Sequence, residues 1–377
     1  MATTAIDIRR AADRAEILAR AARLIDEGGL LLMPTETLYG LACSARSAAA
    51  LERLWKLKAS TPTPLALHLG SVQSLHQILG TADHPLPAVH RRLIHRLAPG
   101  PVTFAVQLDA ARLETVRTTL GVAPGVFDDG TEILIRVPSN SAAADVLMST
   151  STPVVISAPH SARGPARTAD DALAALVTGV DPGPDLVLDD GPAPFGRQST
   201  LIRLTRAGGY EVARVGALEE RFVERALVRT VLFVCTGNTC RSPMAEALAR
   251  HMLEELPPDG VETRVRSAGT TAGWGMEATP EGTSALRSLG VVVSGRHSSS
   301  PVTREMLAEA DLIFGMTQSH VDAVRRMDPS VGERAMLLDP AGEDIPDPIG
   351  GPPSQYEETA RKIQSALAGR LDEIRAS

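Results

Sequence analysis

Val231–Leu248 reads VLFVCTGNTCRSPMAEAL, and this stretch decides the fold. Val231 to Val234 form an apolar strand, a short loop opens at Cys235, and a helix is predicted from about Ser242, with Ser242 as N-cap and Pro243 as first helical residue. Strand, tight loop and helix in that order make an α/β unit. Thr236 to Cys240 separate Cys235 from Arg241, enough backbone to curl so that successive N–H groups face one anion. Gly237 is expected to permit the tight curl, and the helix turns its positive end toward the same point.

That setting selects the chemistry. Positive charge favours the thiolate form of a cysteine, which is the nucleophile, and Arg241 offers two phosphoryl oxygens a planar fork that lysine cannot reproduce. Asn238 and Ser242 are placed to hold the loop and to hydrogen-bond the sulfur. A cysteine after a strand is by itself a small core hydrophobe. The consecutive order of strand, Cys235, Gly237, Arg241, Ser242-Pro243 and helix points instead to a bound oxyanion.

CTGNTCRSPMAE (235–246) closely resembles the signature of the low-molecular-weight protein tyrosine phosphatase family. The likeness covers about residues 228 to 375 and continues in RSAGT (266–270), EMLAEADLIFGMT (305–317) and DIPDPIGGPPSQYEET (344–359). It implies a flavodoxin-like doubly wound parallel sheet and hydrolysis of a phosphorylated protein through a cysteinyl-phosphate, without metal or cofactor. Cys235 would be the nucleophile, Arg241 the phosphate clamp and Asp347 the general acid. Thr236, Gly237, Asn238, Thr239, Cys240 and Ser242 would form the phosphate bed. An acid is required because the leaving group departs poorly unless protonated, and the intermediate must then be cleaved by an activated water. Asp339-Pro340 is a nearby pair of the turn-starting kind. Cys240 is open to two readings: a partner that captures oxidised Cys235 in a disulfide, as the resemblance implies, or a plain loop residue. Thr239, where a bulky aliphatic residue is the other style of site, makes the loop look like that of bacterial protein arginine phosphatases. Ile349 stands where the family usually has an aromatic wall, so phosphoarginine and phosphotyrosine both stay open.

Working back toward the N-terminus, a chain of 377 residues predicts two domains. The polar, helix-prone GALEERFVERALV (216–228) places their boundary, giving residues 1–222 and 228–377. In the first domain a helix is expected over residues 10–27, strands at 30–33, 65–69, 102–108, 133–137, 154–156 and 201–204, and a surface loop over the Pro/Gly-rich 181–196. LLMPTETLYGLACSA (31–45) sets polar residues at a strand end. With PLALHLG (64–70), APGPVTFAV (98–106), IRVP (135–138), GRQSTLIRL (196–204) and ARVGAL (213–218), it resembles the threonylcarbamoyl-adenylate synthase family, a YrdC-like α/β twisted-sheet fold.

The resemblance implies that ATP, L-threonine and bicarbonate condense to threonylcarbamoyl-AMP and pyrophosphate, the first step of a tRNA modification, with magnesium bridging phosphate oxygens. Thr35 and Thr37 would meet threonine. Lys58, His68, Thr103, Arg136, Ser199 and Arg214 would surround nucleotide and phosphates. Two departures bear on this: the family's Lys-x-Arg is Lys58-Ala59-Ser60, and its Ser-Ala-Asn is represented only by Pro159-His160-Ser161-Ala162-Arg163, where Arg163 is a candidate replacement charge. An active synthase, a ligand-binding module without the chemistry, and a structural partner for the phosphatase remain as alternatives.

Composition limits the rest. A net charge of -7 argues against an electrostatic grip on nucleic acid or an anionic membrane. Three cysteines, Cys43, Cys235 and Cys240, are too few for a disulfide framework or a four-ligand zinc site. No apolar run approaches the ~20 residues of a membrane span, and the first residues lack an apolar core segment, so a cytoplasmic protein is expected.

Overall fold

The computed structural model describes residues 5–80, 85–159, 164–177, 182–292 and 296–377. The chain divides into two compact units, Met1–Ala226 and Leu227–Ser377.

The first unit is built on one ten-stranded mixed sheet. Its strands are β1 (Ala5–Asp7), β2 (Leu31–Met33), β3 (Gly40–Ser44), β4 (Ala66–His68), β5 (Val102–Gln107), β6 (Glu132–Arg136), β7 (Val154–Ser157), β8 (Leu186–Asp189), β9 (Thr200–Leu204) and β10 (Tyr210–Arg214). They lie in the order β1-β8-β2-β3-β7-β4-β6-β5-β9-β10. The helices Arg14–Asp26 and Ser141–Ser149 cover part of it, packing Ile17, Leu18, Ala21, Val146 and Leu147 against Leu31, Met33, Val154 and Leu188. The helix Ala48–Leu57 starts at Ser47, whose side chain accepts the Ala50 N–H, and buries Leu51, Leu54 and Leu57 at helical spacing.

Where a surface loop was expected over 181–196, the described residues contain β8, which joins β1 to β2 in parallel register. Leu186, Val187 and Leu188 are all buried. A strand covered on both faces has no polar alternation to reveal it, and its proline- and glycine-rich flanks mimic a loop. The same cause hides β3, whose five residues are all buried.

The second unit carries β11 (Val228–Cys235), β12 (Glu262–Gly269), β13 (Leu312–Gly315) and β14 (Ala335–Leu337) in a parallel sheet of order β12-β11-β13-β14. The helices Arg241–Glu254 and Pro353–Ala368 pack one face through Leu248, Tyr356, Ala360 and Ile363. Arg304–Glu309 and Gln318–Met327 pack the other through Leu307, Val321 and Val324. This is the flavodoxin-like doubly wound arrangement of the sequence reading. From β11 the chain first adds β12 on one side and then β13 on the other, so the switch point falls at the C-terminal end of β11, where ligands bind in such sheets. Cys235 is the last residue of that strand.

Candidate active site

Cys235 is buried at the mouth of the loop. Its Sγ accepts the Asn238 N–H at 3.2 Å and lies 3.0 Å from Ser242 Oγ. The curl depends on Asn238 rather than Gly237: Asn238 takes a left-handed φ of 54°, while a Cβ on Gly237 would make only ordinary contact with Thr239 Oγ1 at 3.6 Å. Asparagine tolerates this region better than most residues, and here it is held from all sides. Its Nδ2 donates to Ser242 Oγ at 3.0 Å and Ser267 Oγ at 2.9 Å, its Oδ1 accepts the Ser300 N–H, and its carbonyl meets His297 Nε2 at 2.7 Å.

Ser242 also differs from its expected place. The helix starts at Arg241 with Cys240 at the N-cap, and no side chain caps it. Ser242 turns its hydroxyl to Cys235 and Asn238 instead, since a sulfur at the loop centre competes for the hydroxyl that would otherwise satisfy the helix end. Its helix N–H groups stay directed at the loop.

Arg241 is buried, and its guanidinium spans the site. Nη2 donates to Asp347 Oδ2 at 2.5 Å and to Thr236 Oγ1 at 3.4 Å, and Nη1 donates to the Ile345 carbonyl at 3.3 Å. Nε is buried with no partner among the described residues. The clamp and the carboxylate read as its partner acid therefore share one hydrogen bond. Thr239 is half-buried, and its hydroxyl lies 3.7 Å from Cys240 Sγ. Cys240 in turn lies 4.0 Å from Tyr356 Oη, and burial followed by that cysteine's proximity pushes the Tyr356 phenol up.

Two parts of this surface went unread in the sequence. The segment after β12 is tied to the loop by Thr270 and Thr271 N–H groups donating to the Cys235 and Thr236 carbonyls, and a few residues on it presents Trp274 and Met276, both exposed. Ile349 on the acid loop is likewise a large apolar side chain left exposed. The signal was a tryptophan between glycines, Gly273-Trp274-Gly275, just past a strand. The second is His320, whose Nε2 is 2.9 Å from Thr236 Oγ1.

In the first unit one cavity of about 320 Å³ is lined by all eight residues named from the sequence: Thr35, Thr37, Lys58, His68, Thr103, Arg136, Ser199 and Arg214. Strand order brings them together, because β4, β6, β5 and β9 are consecutive neighbours and carry His68, Arg136, Thr103 and the Ser199 end. Arg136 Nη2 donates to Glu36 Oε1 at 2.6 Å and Thr37 Oγ1 at 2.8 Å, Thr35 and Thr37 hydroxyls are 2.9 Å apart, and Thr103 Oγ1 is 2.8 Å from Ser199 Oγ. Arg214 Nη2 donates to the Ser199 carbonyl at 3.0 Å, and Lys58 Nζ donates to Ser157 Oγ.

The cavity is cationic, and burial disfavours several of its own charges. Burial lowers the Lys58 ammonium, burial and then Arg136 lower Arg214, and burial with Arg136 pushes His68 down to about 3. Glu36 and Ser157 are partners the sequence reading did not name. Ala59 holds a left-handed φ of 49° in the altered Lys58-Ala59-Ser60 turn. The Pro159–Arg163 motif falls outside the described residues from His160 onward, so no contact is assigned to Arg163. Among the described residues no helix is long and apolar enough to cross a membrane.

Comparison with known proteins matches two families to separate parts of the chain. Residues 230–377 match the family model described as low molecular weight phosphotyrosine protein phosphatase, and residues 23–216 match the Sua5/YciO/YrdC model, described as telomere recombination. The protein-arginine-phosphatase of Bacillus subtilis (strain 168) is 36% identical over 141 residues, which are 36% of this chain and 91% of that protein. A low molecular weight protein-tyrosine-phosphatase of Streptomyces coelicolor is 34% identical over 156 residues, 38% of this chain and 93% of the relative. The threonylcarbamoyl-AMP synthase of Bacillus subtilis (strain 168) is 25% identical over 209 residues, 53% of this chain, and the chain spans 56% of that protein's length.

Proposed function

For a chain that belongs to the low-molecular-weight phosphotyrosine protein phosphatase family through residues 230–377 and to the Sua5/YciO/YrdC family through residues 23–216, we propose two chemistries on one polypeptide. The C-terminal unit is a protein phosphatase. The observation that carries its mechanism is the Cys235 sulfur, hydrogen-bonded inside a loop that ends in buried Arg241, which pairs with the exposed Asp347.

An entering phosphoryl group takes Arg241 from Asp347, whose freed carboxylate takes up a proton from water, and lies on the loop N–H groups. Cys235 Sγ attacks phosphorus in line, the bond from phosphorus to the leaving nitrogen or oxygen breaks, and Asp347 delivers a proton to the departing atom. Arg241 and the N–H groups stabilise the negative charge of the transition state. Asp347, now a carboxylate, draws a proton from the water that cleaves the S–P bond, releasing phosphate and returning the thiolate.

Phosphoarginine is the substrate we favour. Thr239 supplies a polar, half-exposed hydroxyl able to accept a guanidinium N–H, and Ile349 offers no ring for a phenyl group to stack on. Phosphate release from phosphoarginine and phosphotyrosine peptides tests this. Faster release from phosphoarginine is expected, and Thr239→Ile should move the preference toward phosphotyrosine by about tenfold, the worth of one hydrogen bond to a charged group. Equal or reversed preference in the unaltered chain would make the threonine incidental, and no release from either peptide would sink the phosphatase assignment.

For the N-terminal unit the cationic cavity favours an anionic ligand, and ATP with L-threonine and bicarbonate is the set we propose. Its lining supplies the cations Lys58, Arg136 and Arg214 beside a neutral His68, and Glu36 is already engaged by Arg136, so magnesium would enter on the nucleotide's phosphates. The chain's own part is to neutralise phosphate charge and to hold threonine at Thr35 and Thr37. Calorimetric titration with ATP and threonine, followed by a pyrophosphate assay, separates the readings. Pyrophosphate release that Arg136→Ala abolishes is expected. Binding without release would leave a non-catalytic nucleotide module, and no binding a structural one.

A further inference from the structure

We propose that His320 is a positioning residue that fixes the Thr236 hydroxyl as a hydrogen-bond donor to the phosphoryl group held in the Cys235–Arg241 loop, an inference that rests on the phosphatase reading above. His320 sits at the third position of the helix Gln318–Met327, where a capping box usually carries Glu or Gln. Its Nδ1 accepts the Thr317 backbone N–H at 3.1 Å and lies 2.8 Å from the Thr317 hydroxyl. An amide nitrogen only donates, so Nδ1 carries a lone pair. The ring faces Arg241 from the loop helix and Asp344 and Asp347 from the acid loop, and burial, then Arg241, hold it neutral by pushing it down to about 4.

The one ring proton is therefore on Nε2, which donates to Thr236 Oγ1 at 2.9 Å. Arg241 Nη2 also donates to that oxygen, at 3.4 Å. With both lone pairs of Oγ1 taken, the hydroxyl has only its hydrogen left to offer. Thr236 is the first residue after Cys235 and is exposed, and it shares with Asp347 one guanidinium nitrogen, Arg241 Nη2. An anion that displaces Asp347 from Nη2 meets a neighbouring hydroxyl already committed to donate. A free threonine rotor would split its time between donor and acceptor roles; this one is set before the ligand arrives.

The test compares the full chain with His320→Ala, His320→Gln, Thr236→Val and the double variant His320→Ala/Thr236→Val, reading kcat on a phosphopeptide, the inhibition constant of orthophosphate, and melting temperature. Each single loss of the donor should lower kcat and weaken orthophosphate inhibition by roughly tenfold, as expected for one hydrogen bond to a charged group. The double variant should be no worse than either single one, because both act through one hydroxyl. His320→Gln, which keeps an N–H at the Nε2 position, should recover most of the loss. A His320→Ala chain that melts earlier but keeps kcat and orthophosphate inhibition would reduce His320 to a helix cap and overturn the inference, as would effects that multiply in the double variant. If His320→Ala does not fold, an unaltered inhibition constant in Thr236→Val overturns it equally. Absence of phosphate release from the unaltered chain is a separate result, which removes the phosphatase reading itself.

Discussion

Serine in place of Cys235 is expected to bring phosphate release from phosphopeptides to background, a loss larger than any other single change should cause. The substitution keeps the shape of the site. Serine Oγ can still accept the Asn238 N–H and approach Ser242 Oγ, so the loop has no reason to open. What disappears is the proposed nucleophile, because an alcohol has no means of becoming an anion near neutral pH, and among the described residues neither hydrogen-bond partner of Sγ is a base. Ser242 and the Asn238 N–H are both suited to donating. Melting temperature and orthophosphate binding measured alongside should stay close to those of the unaltered chain. Release at even a few per cent of the original rate would mean that the sulfur is not required, with either the serine hydroxyl or water able to attack phosphorus.

Asp347→Asn should slow turnover of phosphopeptides by roughly 10²- to 10⁴-fold, the range found for a positioned proton donor. The loss should depend on the leaving group. An aryl phosphate whose phenolate is stable without a proton should suffer much less in its first step than a peptide whose leaving guanidine or tyrosine needs one. The resting structure adds a second expectation. Asp347 occupies Arg241 at 2.5 Å, so an anion must displace a carboxylate to be clamped. An asparagine competes less for the guanidinium, and orthophosphate should bind Asp347→Asn more tightly than it binds the unaltered chain. Rates on an aryl phosphate and a phosphopeptide, with the orthophosphate inhibition constant, check both parts. An equal loss on the two substrates would count against Asp347 as the acid.

The parts of this molecule that were legible in the sequence are those where local order and chemistry coincide. Val231 to Arg241 is continuous, so strand, loop and clamp could be read from one line of text. The cavity of the first unit is assembled from segments far apart in the chain, and it was legible only through the motifs they carry. Their wiring was not: Glu36 lies inside a quoted motif, yet its contact with Arg136 spans a hundred positions and follows from strand order alone. His320 was hidden because a histidine near a helix start reads as an ordinary solvated residue until the fold puts Thr236 beside it. Gly237 drew attention because glycine is the usual answer to a tight turn, but a well-bonded asparagine can hold the left-handed position. β8 was lost to its surroundings, since three apolar residues and an aspartate among prolines and glycines lack the alternation that marks a half-buried strand.

The place of β8 has a consequence for the order of events on the ribosome. β1 and β2 are made early, and neither pairs with the other; each waits for β8, through Ala5 with Val187 and Leu31 with Leu186. Closure across so long a stretch of chain is slow, and until residues 186–189 clear the exit tunnel β1 stays unpaired and β2 keeps one open edge, a template for misassociation. Translation of the second unit begins about forty residues later. A pause in that interval would let the large sheet close before the phosphatase strands emerge to compete for its edge.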